Sequence, residues 1–145
     1  MRSNRLGFTL IETMMVITAI GLLTAIALPK IGQQIRSYRL GRATGVVAGD
    51  LENAFTMAAR QRKPLRLSLS GGTYTVADRT GGTVRLTRNL TGDRDYGVVA
   101  VALSTSPLDI FPYGMASAAD TVTISNGSVS RRITVSKAGQ VRVLR

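Results

Sequence analysis

The chain has 145 residues, a formal net charge of +11 from 19 lysines and arginines against 8 aspartates and glutamates, and neither cysteine nor histidine. This length suits one membrane segment followed by one small domain. The missing residue types exclude disulfides, thiolate or imidazole metal ligands, and catalysis by a cysteine or a histidine-based triad. The positive charge suits anionic partners such as nucleic acid, lipid headgroups or acidic protein surfaces, and the alternative, which we prefer, is a solvated basic surface.

The N-terminal part reads as a basic leader, residues 1–7, followed by an apolar run, residues 8–28, in which Glu12 is the only charge. A helix of this length spans roughly 30 Å of hydrocarbon, and the run exceeds the apolar core of a secretory signal peptide. Ala25 and Ala27 would suit a signal peptidase, but Glu12 would interrupt the core that such a signal requires. A carboxylate costs roughly 2.5–3.5 kcal/mol at the bilayer centre, so we expect Glu12 to have a function.

Beyond Pro29 the apolar residues recur at spacings of three and four up to about residue 63, which predicts an amphipathic helix. The membrane helix, residues 8–29, would continue into this extra-membrane helix, residues 30–63, with a bend near Pro29 and an end at Pro64. The expected apolar positions are Ile31, Ile35, Val46, Val47, Leu51, Ala54, Phe55 and Ala58.

From residue 64 to 145 the period changes to two, which predicts a β-rich domain. The expected strands are residues 65–69, 73–77, 83–87, 98–103, 121–125, 128–136 and 140–144, with a loop over residues 104–119. Gly71-Gly72 and Asn126-Gly127 are hairpin signals, so the C-terminal strands should form an antiparallel meander. The predicted fold class is α+β: one long N-terminal helix packed on a small antiparallel β-sheet, a lollipop in outline, because such a helix needs packing to be stable in water.

Glycines at residues 41, 45 and 49 would form a ridge on one face of the helix, for close packing or for local softening. Gly21, inside the apolar run, would mark a flexible point. Asp93 and Asp95 alternate like calcium ligands, but two carboxylates fall short of the six to eight oxygens that calcium takes. We expect a polar turn there, no metal and no cofactor.

The segment from Leu6 to Glu12, Leu-Gly-Phe-Thr-Leu-Ile-Glu, followed by an apolar run and Pro29, resembles the type IV prepilin signal of pilins and pseudopilins. The resemblance implies that a prepilin peptidase cleaves after Gly7 and N-methylates the new amino terminus at Phe8. Glu12 of one subunit would then pair with the Phe8 amine of a neighbour in a filament, offsetting the desolvation of both charges. The alternative is a Glu12 solvated in the headgroup zone.

Residues 47–69 and the ending from Ile133 to Leu144 are similar to the secretion protein H / FimT family of minor pseudopilins and minor pilins. This resemblance implies a non-enzymatic structural subunit of a type II secretion system or type IV pilus-like filament. Its partners would be other pseudopilins or pilins, the peptidase and secreted cargo. It would be a single-pass protein of the bacterial inner membrane, with Gly21 and Pro29 serving assembly and the C-terminal domain in the periplasm or outside the cell.

The flanking charges disagree with that orientation. Lys30, Arg36, Arg39 and Arg42 outnumber the cations of the leader, so a positive-inside count favours the opposite one. We prefer the orientation that lets a peptidase reach the leader.

An alternative function is DNA binding for uptake, which FimT-like members perform through a C-terminal Gly-Arg-x-Arg-like motif. Here Gln140 replaces the first arginine and Arg142 matches the second. Phosphate contacts need only positive charge, whereas aromatic residues that would stack bases are missing nearby. The candidate contacts with DNA or a protein partner are Arg131, Arg132, Lys137, Arg142 and Arg145.

Overall fold

The structure is a computed structural model that describes residues 7–144, and it divides into two compact units between Ile35 and Arg36. The first element is helix α1, Leu10–Gln61. Thr9 caps it, since its hydroxyl oxygen accepts the Glu12 N–H at 3.3 Å and its carbonyl accepts the Thr13 N–H at 3.2 Å. The helix continues through Pro29.

The N-terminal unit contains the apolar part of α1, and its side chains are exposed almost throughout. This segment is long and apolar enough to cross a membrane. Its threonine hydroxyls donate to backbone carbonyls of their own helix: Thr13 to Leu10 at 2.8 Å, Thr18 to Met14 at 2.8 Å and Thr24 to Ile20 at 2.7 Å. These bonds satisfy the hydroxyls without water, as a hydrocarbon environment requires.

The C-terminal unit contains the rest of α1, which buries one face from Leu40 onward. The buried face comprises Leu40, Ala43, Thr44, Val47, Ala48, Leu51, Ala54, Phe55 and Ala58. The predicted apolar face is therefore confirmed from Val47 to Ala58, whereas Val46 is only half-buried and the start of the predicted face is wrong. Ile31 and Ile35 are 51% and 48% exposed, because the strands supply packing partners only further along the helix.

Within residues 7–144, eight strands form two four-stranded antiparallel sheets. The first sheet has the order β3-β2-β1-β5 and the second the order β4-β6-β7-β8. The strands are β1 Leu65–Ser70, β2 Thr73–Asp78, β3 Val84–Asn89, β4 Ala100–Leu103, β5 Leu108–Ile110, β6 Asp120–Ser125, β7 Ser130–Val135 and β8 Val141–Leu144.

Inward-facing residues of both sheets join the buried face of the helix in one hydrophobic core. Leu65, Ile110, Ile124 and Ile133 are fully buried members of it. The α+β class, with a long N-terminal helix packed on antiparallel strands, is thus confirmed.

Two local predictions need correction. Residues 104–119 are not all loop, because Leu108–Ile110 pairs with β1 as the edge strand of the first sheet. The hairpin at Asn126-Gly127 is confirmed, since β6 and β7 pair antiparallel, but its connection has four residues and not two, because Ser125 pairs with Ser130. The Asn126 side-chain oxygen closes that loop by accepting N–H bonds from Ser128 and Val129.

Candidate functional site

The N-terminal candidates lie together at the start of α1. Gly7 and Phe8 precede the helix and Phe8 is 81% exposed. Glu12 is the third helical residue, so Thr9 and Glu12 stand at the spacing of a capping box. Within residues 7–144 the Glu12 carboxylate has no ion-pair partner. Because Glu12 lies in the first turn of α1, its negative charge is stabilised by the positive end of the helix dipole.

Thr9 is a helix cap that was not predicted from the sequence. The T-x-x-E spacing was visible, but it is embedded in the apolar run and not in front of it. The cap means that the helix begins one residue after Thr9, with its free N–H groups directed towards the Gly7–Phe8 segment.

The other assembly candidates, Gly21 and Pro29, both lie inside α1. A Cβ at Gly21 would meet nothing within 4 Å, so that face of the helix is open to a neighbour. Nothing in the structure tests their roles in assembly, which stay predictions.

The three glycines at residues 41, 45 and 49 differ in surroundings. A Cβ at Gly41 would lie 3.9 Å from the Arg131 guanidinium carbon, whereas one at Gly45 or Gly49 would meet nothing within 4 Å. Gly41 therefore accommodates a side chain from β7, while the other two leave the helix backbone uncovered.

The C-terminal basic residues do not form a single cluster. Arg131 lies against Gly41 of α1, and its Nε is buried without a hydrogen-bond partner among the described residues. Arg132 lies on the opposite face of β7, where it pairs with Thr123 of β6. Arg142 pairs with Thr134, two residues beyond Arg132 on β7, so Arg132 and Arg142 are diagonal neighbours on the outer face.

Lys137 lies in the turn between β7 and β8, separate from that face. Gly139 shapes the turn with a φ of 73°, and a Cβ there would overlap the Gly114 carbonyl oxygen at 2.2 Å. The turn therefore sits against the loop that contains Gly114, and the Lys137 carbonyl accepts the Ala116 N–H at 2.9 Å. Arg145 lies outside the described residues.

Four arginines outside the predicted set hold the domain together by ion pairs. Arg66 binds Asp109 at 2.7 Å, Arg79 binds the same carboxylate at 3.3 Å, Arg85 binds Asp78 at 2.7 Å and Arg88 binds Asp50 at 2.7 Å. The hydrogen bond from Arg66 lowers the pKa of Asp109, and the one from Arg85 lowers the pKa of Asp78. Part of the chain's positive charge is thus structural and unavailable to a partner.

Within the described residues, no group of three acidic side chains is placed to hold a metal ion. Asp93 and Asp95 instead form the polar turn that was expected, in which Asp93 Oδ1 accepts the Asp95 N–H at 2.9 Å.

Two protein-family models match this chain. Residues 2–28 match the prokaryotic N-terminal methylation motif, and residues 43–139, more than half of the chain, match the family model for type II transport protein GspH. The chain belongs to the GspH family. No curated protein matches it.

Two solved structures are similar to this GspH-family chain. The type IV minor pilin FimU of Pseudomonas aeruginosa aligns with a TM-score of 0.61 at 18% identity, over 75% of this chain and 90% of that one. The minor pseudopilin EpsH from the type 2 secretion system of Vibrio cholerae aligns with a TM-score of 0.59 at 12% identity, over 73% and 96%. These identities show the shared fold, and together with the family models they identify the chain as a pilin-like subunit.

Proposed function

We propose that this GspH-family protein is a minor pseudopilin or minor pilin that is cleaved after Gly7, methylated at Phe8 and assembled through α1 into a filament. The observation that carries the proposal is the exposed Gly7–Phe8 segment directly before a capped, apolar helix with Glu12 in its first turn. Cleavage would create an ammonium group at Phe8, one helical turn from a carboxylate.

Insertion of Glu12 into hydrocarbon explains why this pairing needs a neighbour. Within one helix the Phe8 amine and the Glu12 carboxylate both lie at the N-terminal end, where the amine is repelled by the positive end of the helix dipole. A neighbouring subunit's amine would neutralise Glu12 in hydrocarbon, where an unpaired charge is costly. Assembly thereby recovers part of the cost of inserting the carboxylate.

The location follows from the same mechanism. The apolar part of α1 anchors the protein in the inner membrane, and the sheet-bearing unit lies outside the cytoplasm, where it contacts other pseudopilins or pilins and secreted cargo. The leader then faces the peptidase in the cytoplasm.

Intact-protein and N-terminal peptide mass spectrometry of the full chain, purified from its native cells, tests the processing. We expect a mature protein that begins at N-methylated Phe8. A Gly7→Val variant should keep its leader, because a branched side chain at the cleavage site obstructs the peptidase, whereas a matched Gly21→Val variant should still be cleaved. A start at Met1, or a start after Ala27, would refute the proposal.

A second candidate function is DNA binding on the outer face of the second sheet. The observation that favours it is the diagonal placement of Arg132 and Arg142 beside Thr123 and Thr134. Arg131 does not belong to this face, so the candidate rests on fewer cations than the sequence suggested.

A salt titration of duplex DNA binding to the full chain in detergent tests this candidate. The slope of log K against log salt should fall by roughly 0.9 for each DNA phosphate that the protein no longer neutralises. An Arg132→Ala/Arg142→Ala variant should reduce the slope by about 2 on this basis, while Arg60→Ala/Arg94→Ala, which removes two exposed arginines elsewhere, should not. Equal slopes for both variants would exclude this face.

A further inference from the structure

An exposed aromatic loop with basic neighbours lies at the edge of the first sheet, distinct from the Gly7–Glu12 motif and from the outer face that carries Arg132 and Arg142. Phe111 and Tyr113 stack with ring centroids 5.3 Å apart and an interplanar angle of 4°. Tyr113 is 69% exposed and Met115 46% exposed, so the outer side of the stack faces solvent. We name this loop, together with Arg79, Lys63 and Lys137, the aromatic–basic surface.

The loop is held rigidly. The Phe111 N–H donates to the Met115 carbonyl at 2.8 Å, and the Gly114 N–H donates to the Phe111 carbonyl at 3.1 Å. Ile110 bridges to Ala116, whose N–H donates to the Lys137 carbonyl at 2.9 Å. A rigid loop presents its side chains to a partner without a large loss of conformational entropy on binding.

Cations flank the loop on two sides. The Arg79 guanidinium lies 5.9 Å from the centre of the Phe111 ring, and the Arg79 N–H donates to the Pro64 carbonyl at 3.0 Å, next to Lys63. Lys137 flanks the loop from the hairpin turn. Neither Lys63 nor Lys137 takes part in the ion pairs of residues 7–144, and both are exposed.

This composition matches the core of a protein interface. Tyrosine and methionine are enriched there, and tyrosine is among the residues that dominate binding energies. Arg79 supports the Phe111 ring and is itself paired with Asp109, so the charges open to a partner are those of Lys63 and Lys137. Nucleic acid fits less well, because Tyr113 has one ring face stacked on Phe111 and leaves only the other for a base, while Pro112 and Met115 have no aromatic face. A second copy of this chain fits less well too, because a net charge of +11 makes close approach of two copies unfavourable.

We propose that the aromatic–basic surface binds an acidic segment of a partner protein, with an apolar or aromatic side chain of that segment on Tyr113 and its carboxylates beside Lys63 and Lys137. The proposal does not depend on cleavage after Gly7 or on filament assembly. Charge complementarity would set the association rate of the complex and its salt dependence. The Tyr113 ring, once the partner covers it, would contribute most of the affinity.

Photo-crosslinking of the full chain in its native cells tests this proposal. The photoreactive residue p-benzoyl-phenylalanine replaces Tyr113, or in a matched control Tyr38, which is 76% exposed on α1. We expect residue 113 to give a discrete protein adduct in which the crosslinked partner peptide, sequenced by mass spectrometry, carries a net negative charge. Residue 38 should not give that adduct.

Charge reversal and salt supply the decisive comparisons. Lys63→Glu/Lys137→Glu should reduce the yield of the residue 113 adduct about fivefold, from two rim charges of roughly half a kcal/mol each. Arg94→Glu, an exposed charge elsewhere, should leave the yield unchanged. In isolated membranes, the chain that carries only the photoreactive residue at position 113 should give a lower adduct yield when the salt concentration is raised from about 0.05 M to about 0.5 M.

Several outcomes would overturn the proposal: no adduct at residue 113, a neutral or basic partner peptide, a yield insensitive to both salt and charge reversal, or an adduct with nucleic acid. The mass of the mature chain in the same samples reports its processing, so failure of this proposal is distinguishable from failure of the proposed cleavage.

Discussion

Arg88 of β3 and Asp50 of α1 form a bidentate ion pair, with Nε 2.7 Å and Nη2 3.2 Å from the two carboxylate oxygens. Tyr74 of β2 donates its hydroxyl to the same carboxylate. Burial, and then this bond to Asp50, raise the pKa of the Tyr74 phenol, so it remains a donor over the physiological range. The three residues join the helix to two strands of the first sheet.

Removal of Asp50 should destabilise the C-terminal unit more than removal of either partner. An Asp50→Ala variant leaves the buried Tyr74 hydroxyl and the Arg88 guanidinium without an acceptor, at a cost of about 2 kcal/mol. Urea unfolding of the full chain in detergent, followed by tyrosine fluorescence, measures this. Asp95→Ala, in an exposed loop, serves as the control and should change stability by less than about 0.5 kcal/mol.

Alanine at Gly45 should stabilise the helix. Glycine in a helix interior costs about 1 kcal/mol relative to alanine, and a Cβ at residue 45 would meet nothing within 4 Å. Thermal unfolding should therefore show a higher midpoint for Gly45→Ala. Gly139→Ala is the control and should lower the midpoint, because residue 139 has a positive φ and lies against the Gly114 carbonyl. A lower midpoint for Gly45→Ala would contradict the open helix face at residue 45.

Acid should weaken the ion pairs of the first sheet. The pKa values of Asp78 and Asp109 are lower in the folded protein than in the unfolded chain, so their stabilisation is present above about pH 4 and is lost as the pH falls through the folded pKa values. Urea midpoints measured from neutral pH downwards should decline below about pH 4. Asp109→Asn should flatten this decline. If the variant had the same pH profile as the unmodified chain, the Arg66–Asp109 pair would contribute nothing to stability.

Glu12→Gln should abolish assembly and leave insertion intact. The amide removes the charge that a neighbouring Phe8 amine would pair with, while membrane insertion becomes easier because the charge is gone. The amount of protein in the sheared filament fraction measures assembly, and membrane fractionation measures insertion. The exposed Glu52→Gln on the same helix is the control, and normal filaments with Glu12→Gln would show that Glu12 is merely solvated.

Much of the architecture could be read from local signals. The apolar run and the change of period after Pro64 predicted one long helix followed by strands, because hydrophobic periodicity reflects which face of an element is buried. β5 escaped prediction because three residues between two prolines carry too little periodicity. It becomes a strand only because β1 offers its edge, a partner 43 residues away in the Arg66–Asp109 pair.

The candidate sites also differ in how far local sequence predicts them. Gly7, Phe8 and Glu12 form a local motif within about one helical turn, so residue order alone was enough to predict their roles, which stay predictions. The family was predicted from residues 47–69 and from the ending Ile133 to Leu144, and the GspH model confirms it. The basic residues near the C-terminus could not be assigned that way, because alternation in β7 sends Arg131 inward to Gly41 and Arg132 outward to Arg142. Strand register decides which side chains share a face, and the folding of distant loops brought Phe111, Arg79 and Lys137 together.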